Sequence, residues 1–170
     1  MKAIGAALVF AASTAIGFRI ARDYRERPRQ LRSLSQGIRL LQAEVEYGLT
    51  PLPIALERVA QRVAPPVSAG FHRAAALLQE GDIPVAEAVA AGMDELRSGS
   101  ALHGVDLDVM RELGQTLGTS DRAHQRQQFE VAIRRLSGLE EDALELQRTH
   151  ERLWRYVGAL IGLTIVILLY

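Results

Sequence analysis

The stretch "LRSLSQGIRLLQAEV", residues 31–45, repeats apolar side chains at alternating steps of three and four. Its apolar positions are Leu31, Leu34, Ile38, Leu41 and Val45. On an α-helix these positions fall on one face, whereas the charged and amide side chains between them fall elsewhere. The stretch therefore predicts an amphipathic helix that begins near Pro28 and stops at Gly48, and so predicts a protein built by packing helices together.

Four further helices are predicted between this one and residue 121. A second begins at Thr50–Pro51 and ends before Pro65–Pro66, because proline suits the first turn of a helix and interrupts its interior. The third and fourth are expected at about 67–80 and 84–97. The loop "RSGSALHG", residues 97–104, separates them from a fifth at about 105–117.

One pattern recurs after 33 residues. Gly48, Pro51, Leu52, Ala55 and Leu56 are echoed by Gly81, Pro84, Val85, Ala88 and Val89. In both places a glycine ends one helix and a proline opens an alanine-rich one. The echo suggests two related helical hairpins, although five matches among common residue types also arise by chance.

The last helix is predicted to be the longest, from about residue 121 to the end of the chain. An apolar seam with heptad spacing follows it: Phe129, Ala132, Leu136, Leu139, Ala143, Leu146, His150 and Leu153. Such a seam packs either within its own bundle or against another chain as a coiled coil. We favour packing within the bundle.

The two ends of the chain are apolar. Residues 3–18 and 157–170 carry no charge, and the segment "RLWRY", residues 152–156, resembles the aromatic and basic border of a membrane span. These stretches predict membrane anchors at residues 1–20 and 151–170 around a bundle domain at 21–150. Six arginines at positions 19–32 outweigh Lys2, so the bundle should be cytoplasmic. A cleaved signal peptide for the first stretch and a buried core helix for the second are the alternatives.

Composition excludes several functions and offers no catalytic motif. The chain has 170 residues, a formal net charge of zero and no cysteine. Disulfides and thiolate metal sites are therefore excluded, and a dedicated nucleic-acid binder, which is normally basic, is disfavoured. The four histidines show no metal-ligand spacing. We predict no enzyme activity, no cofactor, no metal and no nucleic-acid partner.

Three surface stretches are candidates for binding a protein partner. They are "ARDYRERPRQLR" (21–32) with Arg25, Arg27 and Arg29, "EVEYGLTPLP" (44–53) with Glu44 and Tyr47, and "GTSDRAHQRQQ" (118–128) with Asp121, Arg122 and Gln125. Solvated helix faces and helix starts explain all three equally well.

Several stretches together resemble one known family. "ERPRQLRSL" (26–34), "AEVEYGLTPL" (43–52), "LGQTLGTSDRAHQ" (113–125) and the apolar end containing Trp154 have the order and spacing of stage III sporulation protein AB of endospore-forming bacteria. The similarity runs nearly end to end. That family is itself similar to the F-type inner-membrane platform proteins of type II secretion and type IV pilus systems.

The resemblance implies an all-α, antiparallel bundle of about six helices with a long C-terminal helix and membrane helices on both sides. It implies a platform in a channel complex between mother cell and forespore, in the outer forespore membrane on the mother-cell side. The implied partners are a secretion-type ATPase, stage III sporulation protein AA, and the other membrane components of the complex.

Other possibilities stay open from the sequence. A homo-oligomer is one, and a transporter or enzyme subunit of a membrane complex is another. The third is a helical scaffold or adaptor unrelated to secretion, either membrane-tethered or secreted after signal cleavage near residues 15–18. For the platform, we expect charge reversal at Arg25, Arg29 or Asp121 to weaken binding of the ATPase.

Overall fold

The fold is all-helical throughout the described chain. The computed structural model describes the backbone of residues 2–48, 50–81, 83–117 and 122–169, and the side chains of 22–48, 50–81, 83–117 and 123–150. This backbone forms six α-helices and no strand. They are α1 (Lys2–Glu46), α2 (Leu52–Ala60), α3 (Val67–Glu80), α4 (Val85–Gly99), α5 (Gly104–Thr116) and α6 (Arg122–Leu169). The prediction of a six-helix, all-α fold is confirmed.

The first helix does not begin at Pro28, so that prediction is wrong. Pro28 lies inside α1, which is continuous from Lys2 to Glu46. The ring of proline fixes a φ angle that a helix accepts, and its missing N–H removes only the hydrogen bond to the carbonyl of Tyr24. The apolar start of the chain and the first bundle helix are therefore one element. The helix ends as expected beside Gly48, whose N–H donates to the carbonyl of Ala43 at 3.2 Å.

The longest packing interface joins α1 and α6. Leu31, Leu34 and Ile38 of α1 and Phe129 and Leu136 of α6 are completely buried. This confirms that the α6 seam packs within the bundle as far as Ala143, which is 2% exposed, whereas Leu146 is 42% exposed.

Two side-chain contacts set the direction of this pair. The rings of Tyr24 and His150 stack with their centroids 3.9 Å apart. About two to three turns further along, Arg32 Nε donates to Glu140 Oε1 at 2.9 Å. Residue numbers rise along α1 while they fall along α6, so the two helices are antiparallel.

The 33-residue echo corresponds to a repeated structure. Pro51 and Pro84 both stand immediately before a helix with ψ angles of 137° and 147°. The helices that follow bury Ala55 and Leu56 in one case and Ala88 and Val89 in the other. The two helices pack on α3 and α5 respectively. Helix α4 extends to Gly99, however, so the loop before α5 is shorter than the sequence suggests.

Helices α3 and α4 cross at a pair of glycines. A Cβ atom placed on Gly92 would lie 2.3 Å from the carbonyl oxygen of Gly70, which is too close for any side chain. The absence of side chains at this crossing lets the two backbones approach each other directly.

Within the residues that the structure describes, no helix is long and apolar enough to cross a membrane. The predicted anchors at 1–20 and 151–170 fall outside the residues whose side chains are described.

Candidate interaction surfaces of the bundle

The candidate contact residues separate into two groups at opposite ends of the α1–α6 pair. We call the end marked by the Tyr24–His150 stack the tail end, because α1 before Tyr24 and α6 after His150 continue beyond the stack there. The other end, where α1 stops and α6 starts, is the far end. Arg25 belongs to the tail end and Tyr47 to the far end, about 33 Å apart at 1.5 Å per helical residue. One small partner surface cannot contact both groups.

Glu44 is the centre of a charge cluster at the far end. Its carboxylate accepts hydrogen bonds from Arg58 Nη1 at 2.8 Å and from Thr50 Oγ1 at 2.9 Å, and Arg62 Nη1 lies 3.7 Å away. The hydrogen bond from Arg58, followed by that from Thr50, lowers the pKa of Glu44 below its ordinary value. The cluster ties the end of α1 to α2. Thr50 therefore bonds to α1, and no side chain caps the start of α2.

A cleft of about 510 Å³ lies beside this cluster. It brings together two stretches that the sequence singled out separately, and its lining residues are Val45, Glu46, Tyr47, Thr50, Ala123, Gln125 and Arg126. Tyr47 is 78% exposed. The side chains of Asp121 and Arg122 lie outside the described residues. The cleft joins an exposed aromatic ring to an amide and charged groups, which is a composition typical of protein-binding surfaces.

The tail end exposes Arg25 and Arg29. Arg29 Nη1 donates to Glu26 Oε1 at 3.3 Å, one turn earlier on the same helix. The Arg29 side chain remains 69% exposed, so this pair contributes little to stability and leaves the guanidinium open to other contacts.

Arg27 is not a surface residue, and this corrects its place among the candidate contacts. Its Nε donates to Asp106 Oδ2 at 2.9 Å and its Nη2 to Asp106 Oδ1 at 2.8 Å. Only 10% of the Arg27 side chain and none of the Asp106 side chain is exposed. A buried guanidinium needs such a bidentate carboxylate partner, because desolvation of an unpaired charge is costly.

A second polar contact lies one turn along α1. The N–H of Ala101 donates to Gln30 Oε1 at 2.8 Å, and the N–H of His103 donates to Asp106 Oδ2 at 2.8 Å. The turn between α4 and α5 is thus fastened to α1. Sequence reasoning missed Asp106. Its position as the third residue of α5 is a sign of helix capping, but nothing local indicates a partner 79 residues away.

The described side chains assemble no metal-binding cluster. Among them no group of three histidine or acidic residues is placed to hold a metal ion. His72 Nδ1 lies 2.7 Å from Glu57 Oε2 on the exposed surface between α2 and α3. The absence of enzyme activity stays a prediction.

Comparison with known proteins gives one consistent result. The sequence profile of the family described as Stage III sporulation protein AB matches residues 2–170. Stage III sporulation protein AB of Bacillus subtilis (strain 168) is 33% identical over 169 residues, which cover 99% of each chain. A solved structure of Stage III sporulation protein AB (SpoIIIAB) shares 32% identity and a TM-score of 0.69, and the match covers 73% of this chain and 98% of that one. The chain therefore belongs to the stage III sporulation protein AB family, a family of sporulation proteins.

Proposed function

We propose that this protein is a non-enzymatic membrane platform in a secretion-like channel complex required for endospore formation. In this proposal, its bundle links a cytoplasmic secretion-type ATPase, similar to stage III sporulation protein AA, to the membrane complex between mother cell and forespore. The observation that supports it best is the antiparallel pairing of α1 with α6.

That pairing brings both ends of the chain to the same end of the bundle. The contacts Tyr24–His150 and Arg32–Glu140 fix the register. The uncharged stretches 3–18 and 157–170 therefore both continue from the tail end. Two adjacent apolar helices suit a pair of membrane anchors, each roughly 21–24 Å long and completed by flanking basic and aromatic residues.

The same register agrees with the topology expected from charge. The arginines of α1 and those at positions 152 and 155 flank the two apolar stretches on the bundle side. Positively charged flanks remain cytoplasmic, so the bundle would face the cytoplasm and both chain termini the opposite side.

The far end then becomes the surface that faces a cytoplasmic partner. It carries the cleft with Tyr47 and Gln125, the Glu44 cluster, and Ile54, which is 46% exposed. Asp121 and Arg122 directly precede Gln125 in the sequence. We propose the far end as the contact for the ATPase.

Affinity capture from detergent-solubilised membranes tests this proposal. The full-length chain carries a tag and is co-expressed with the ATPase encoded by the same organism. We expect the ATPase to be retained, and Tyr47→Ala to weaken retention by about tenfold or more, since an exposed aromatic anchor can contribute about 2 kcal/mol.

Leu146→Ala is the matched control, because Leu146 is also apolar and exposed but lies near the tail end. It should retain the ATPase fully. If charge reversal at Arg25 and not Tyr47→Ala abolishes retention, the contact lies at the tail end. If the unchanged protein retains no ATPase, the platform proposal is wrong and a scaffold unrelated to secretion is favoured.

A further inference from the structure

The turn between α4 and α5 lies at the tail end of the bundle. Asp106, at the start of α5, bonds to Arg27 of α1. Near the other end of α5, Glu112 forms an ion pair with Arg135 of α6. The antiparallel register places Arg135 level with about residue 37 of α1. Helix α5 therefore runs away from the tail end, and residues 100–103, which precede it, are at the tail end.

The tail end has an excess of basic side chains. Among the described side chains of residues 22–29, 97–107 and 143–150, six are arginines, namely Arg22, Arg25, Arg27, Arg29, Arg97 and Arg148, and four are carboxylates, namely Asp23, Glu26, Asp106 and Glu145. Arg27 is neutralised by Asp106, and Arg29 lies beside Glu26. The other four arginines of these ranges are exposed, as is His103, and the same ranges contain only two further carboxylates, Asp23 and Glu145.

Two exposed apolar side chains lie among these charges. Val105 is 56% exposed and Leu146 is 42% exposed, and they are two of the four large apolar side chains exposed in the described part of the chain. Apolar side chains surrounded by arginine are typical of surfaces that rest on anionic lipid headgroups.

The distance of this surface from the first apolar stretch is also compatible with contact between the surface and a layer of lipid headgroups. Arg19 follows the first apolar stretch, and Arg27 lies eight residues further, which is about 12 Å along a helix. A headgroup layer extends about 5–8 Å beyond the hydrocarbon, and a helix tilt of about 20° brings one side of the bundle closer.

We infer that the tail end, including the α4–α5 turn, docks on the headgroups of an anionic membrane. This inference rests on the membrane insertion in the proposed function. The Arg27–Asp106 and Gln30–Ala101 bonds hold the turn against α1 near its exit from the bundle. Lipid contact at Arg97 and Val105 therefore fixes the orientation of the whole bundle relative to the membrane.

A single fluorescent label tests the inference, because the chain contains no cysteine of its own. The full-length protein with Val105→Cys is labelled and reconstituted into vesicles that contain a headgroup spin-labelled lipid as quencher. The reference site is Ile54→Cys, which is exposed at the far end. We expect at least twofold stronger quenching at 105 than at 54 in vesicles with about one third phosphatidylglycerol. Salt at 0.5 M should reduce the difference, because it screens charges beyond about 4–5 Å.

Matched variants separate this contact from insertion itself. Arg25→Gln with Arg97→Gln should reduce quenching at 105. Arg39→Gln with Arg134→Gln, which removes two exposed arginines midway along the bundle, should leave it unchanged. Equal quenching at 105 and 54, or equal quenching at 105 in neutral and anionic vesicles, overturns the inference. Protection of the 105 label from a water-soluble quencher without lipid quenching also overturns it, because a protein would then cover this face.

Failure of the proposed function gives a different result. A protein that does not insert fails to float with the vesicles in alkaline carbonate, whatever its label reports. A protein that floats and shows no quenching at 105 contradicts only the docking of the tail end.

Discussion

Two charge clusters tie α1 to its neighbours, and they differ chiefly in burial. At the tail end, Arg27 and Asp106 form a bidentate salt bridge from which water is almost completely excluded. At the far end, Glu44 holds Arg58 and Arg62, whose side chains are 51% and 59% exposed. The distances are similar, since the closest contact is 2.8 Å in both clusters.

The comparison shows that the contribution of an ion pair to folding stability does not depend on its distances alone. Water screens the far-end cluster and solvates Arg58 if Glu44 is lost. Little water reaches Arg27 if Asp106 is lost, because only 10% of its side chain is exposed, so the guanidinium would remain largely buried without a counter-charge. The tail-end pair should therefore be essential to the fold, whereas the far-end cluster is free to exchange partners.

The largest loss of folding stability is expected from Asp106→Ala. Loss of one member of a buried pair costs about 3–5 kcal/mol, so the variant should unfold at much lower urea concentration than the unchanged protein. Helical circular dichroism of the full-length chain in detergent measures this.

The double variant Arg27→Met with Asp106→Leu is the control for that experiment. It removes both charges together and should be markedly more stable than Asp106→Ala alone. Equal losses for Asp106→Ala and Glu44→Ala would show that burial does not distinguish the two clusters.

An intermediate loss of stability is expected at the crossing of α3 and α4, where two uncharged backbones approach each other closely. Gly92→Ala places a Cβ against the carbonyl oxygen of Gly70 and must push α3 and α4 apart, at a cost of about 1–3 kcal/mol. Gly99→Ala lies in the same helix, has no atom within 4 Å of its Cβ, and should be neutral or stabilising by up to about 1 kcal/mol. Comparison of the two unfolding midpoints isolates the crossing. A Gly92→Ala protein as stable as Gly99→Ala would contradict the packing described above.

The smallest effect is expected from Glu44→Gln. Because hydrogen bonds from Arg58 and Thr50 lower the pKa of folded Glu44, the unfolded chain binds a proton more readily. The contribution of Glu44 is therefore fully present above its ordinary pKa of about 4.3 and is lost as pH falls through its lower folded pKa. Thermal midpoints of the unchanged protein should lie slightly above those of Glu44→Gln at pH 7 and converge with them in acid. A difference that grows on acidification would reverse this sign.

Local patterns were sufficient to locate most of the helices. The three-and-four spacing from Leu31 to Val45 marks the buried face of α1, and four of those five residues are completely buried. Glycine and proline marked the turns between helices, because each constrains or frees the backbone conformation of only one or two residues. Pro28 was misread for the same reason: it removes one local hydrogen bond, and α1 continues through it.

The candidate site was only partly predictable. Tyr47 and Gln125 were singled out from separate stretches, and only the fold shows that they line one cleft. Arg27 could not be distinguished from Arg25 and Arg29 in the sequence. The three differ in which side of α1 they occupy, and the identity of the neighbour on each side is a tertiary property.

The sequence by itself determined the helical class, the long final helix, the apolar ends and the family, because these follow from composition, periodicity and motif order along the chain. Only the tertiary structure decided that Arg27 is buried against Asp106, that α1 and α6 pair antiparallel, and that the candidate contacts belong to opposite ends of the bundle. These features depend on contacts between residues up to 126 positions apart, such as Tyr24 and His150. No local pattern encodes such contacts, because they form only when the helices pack against one another in the folded protein.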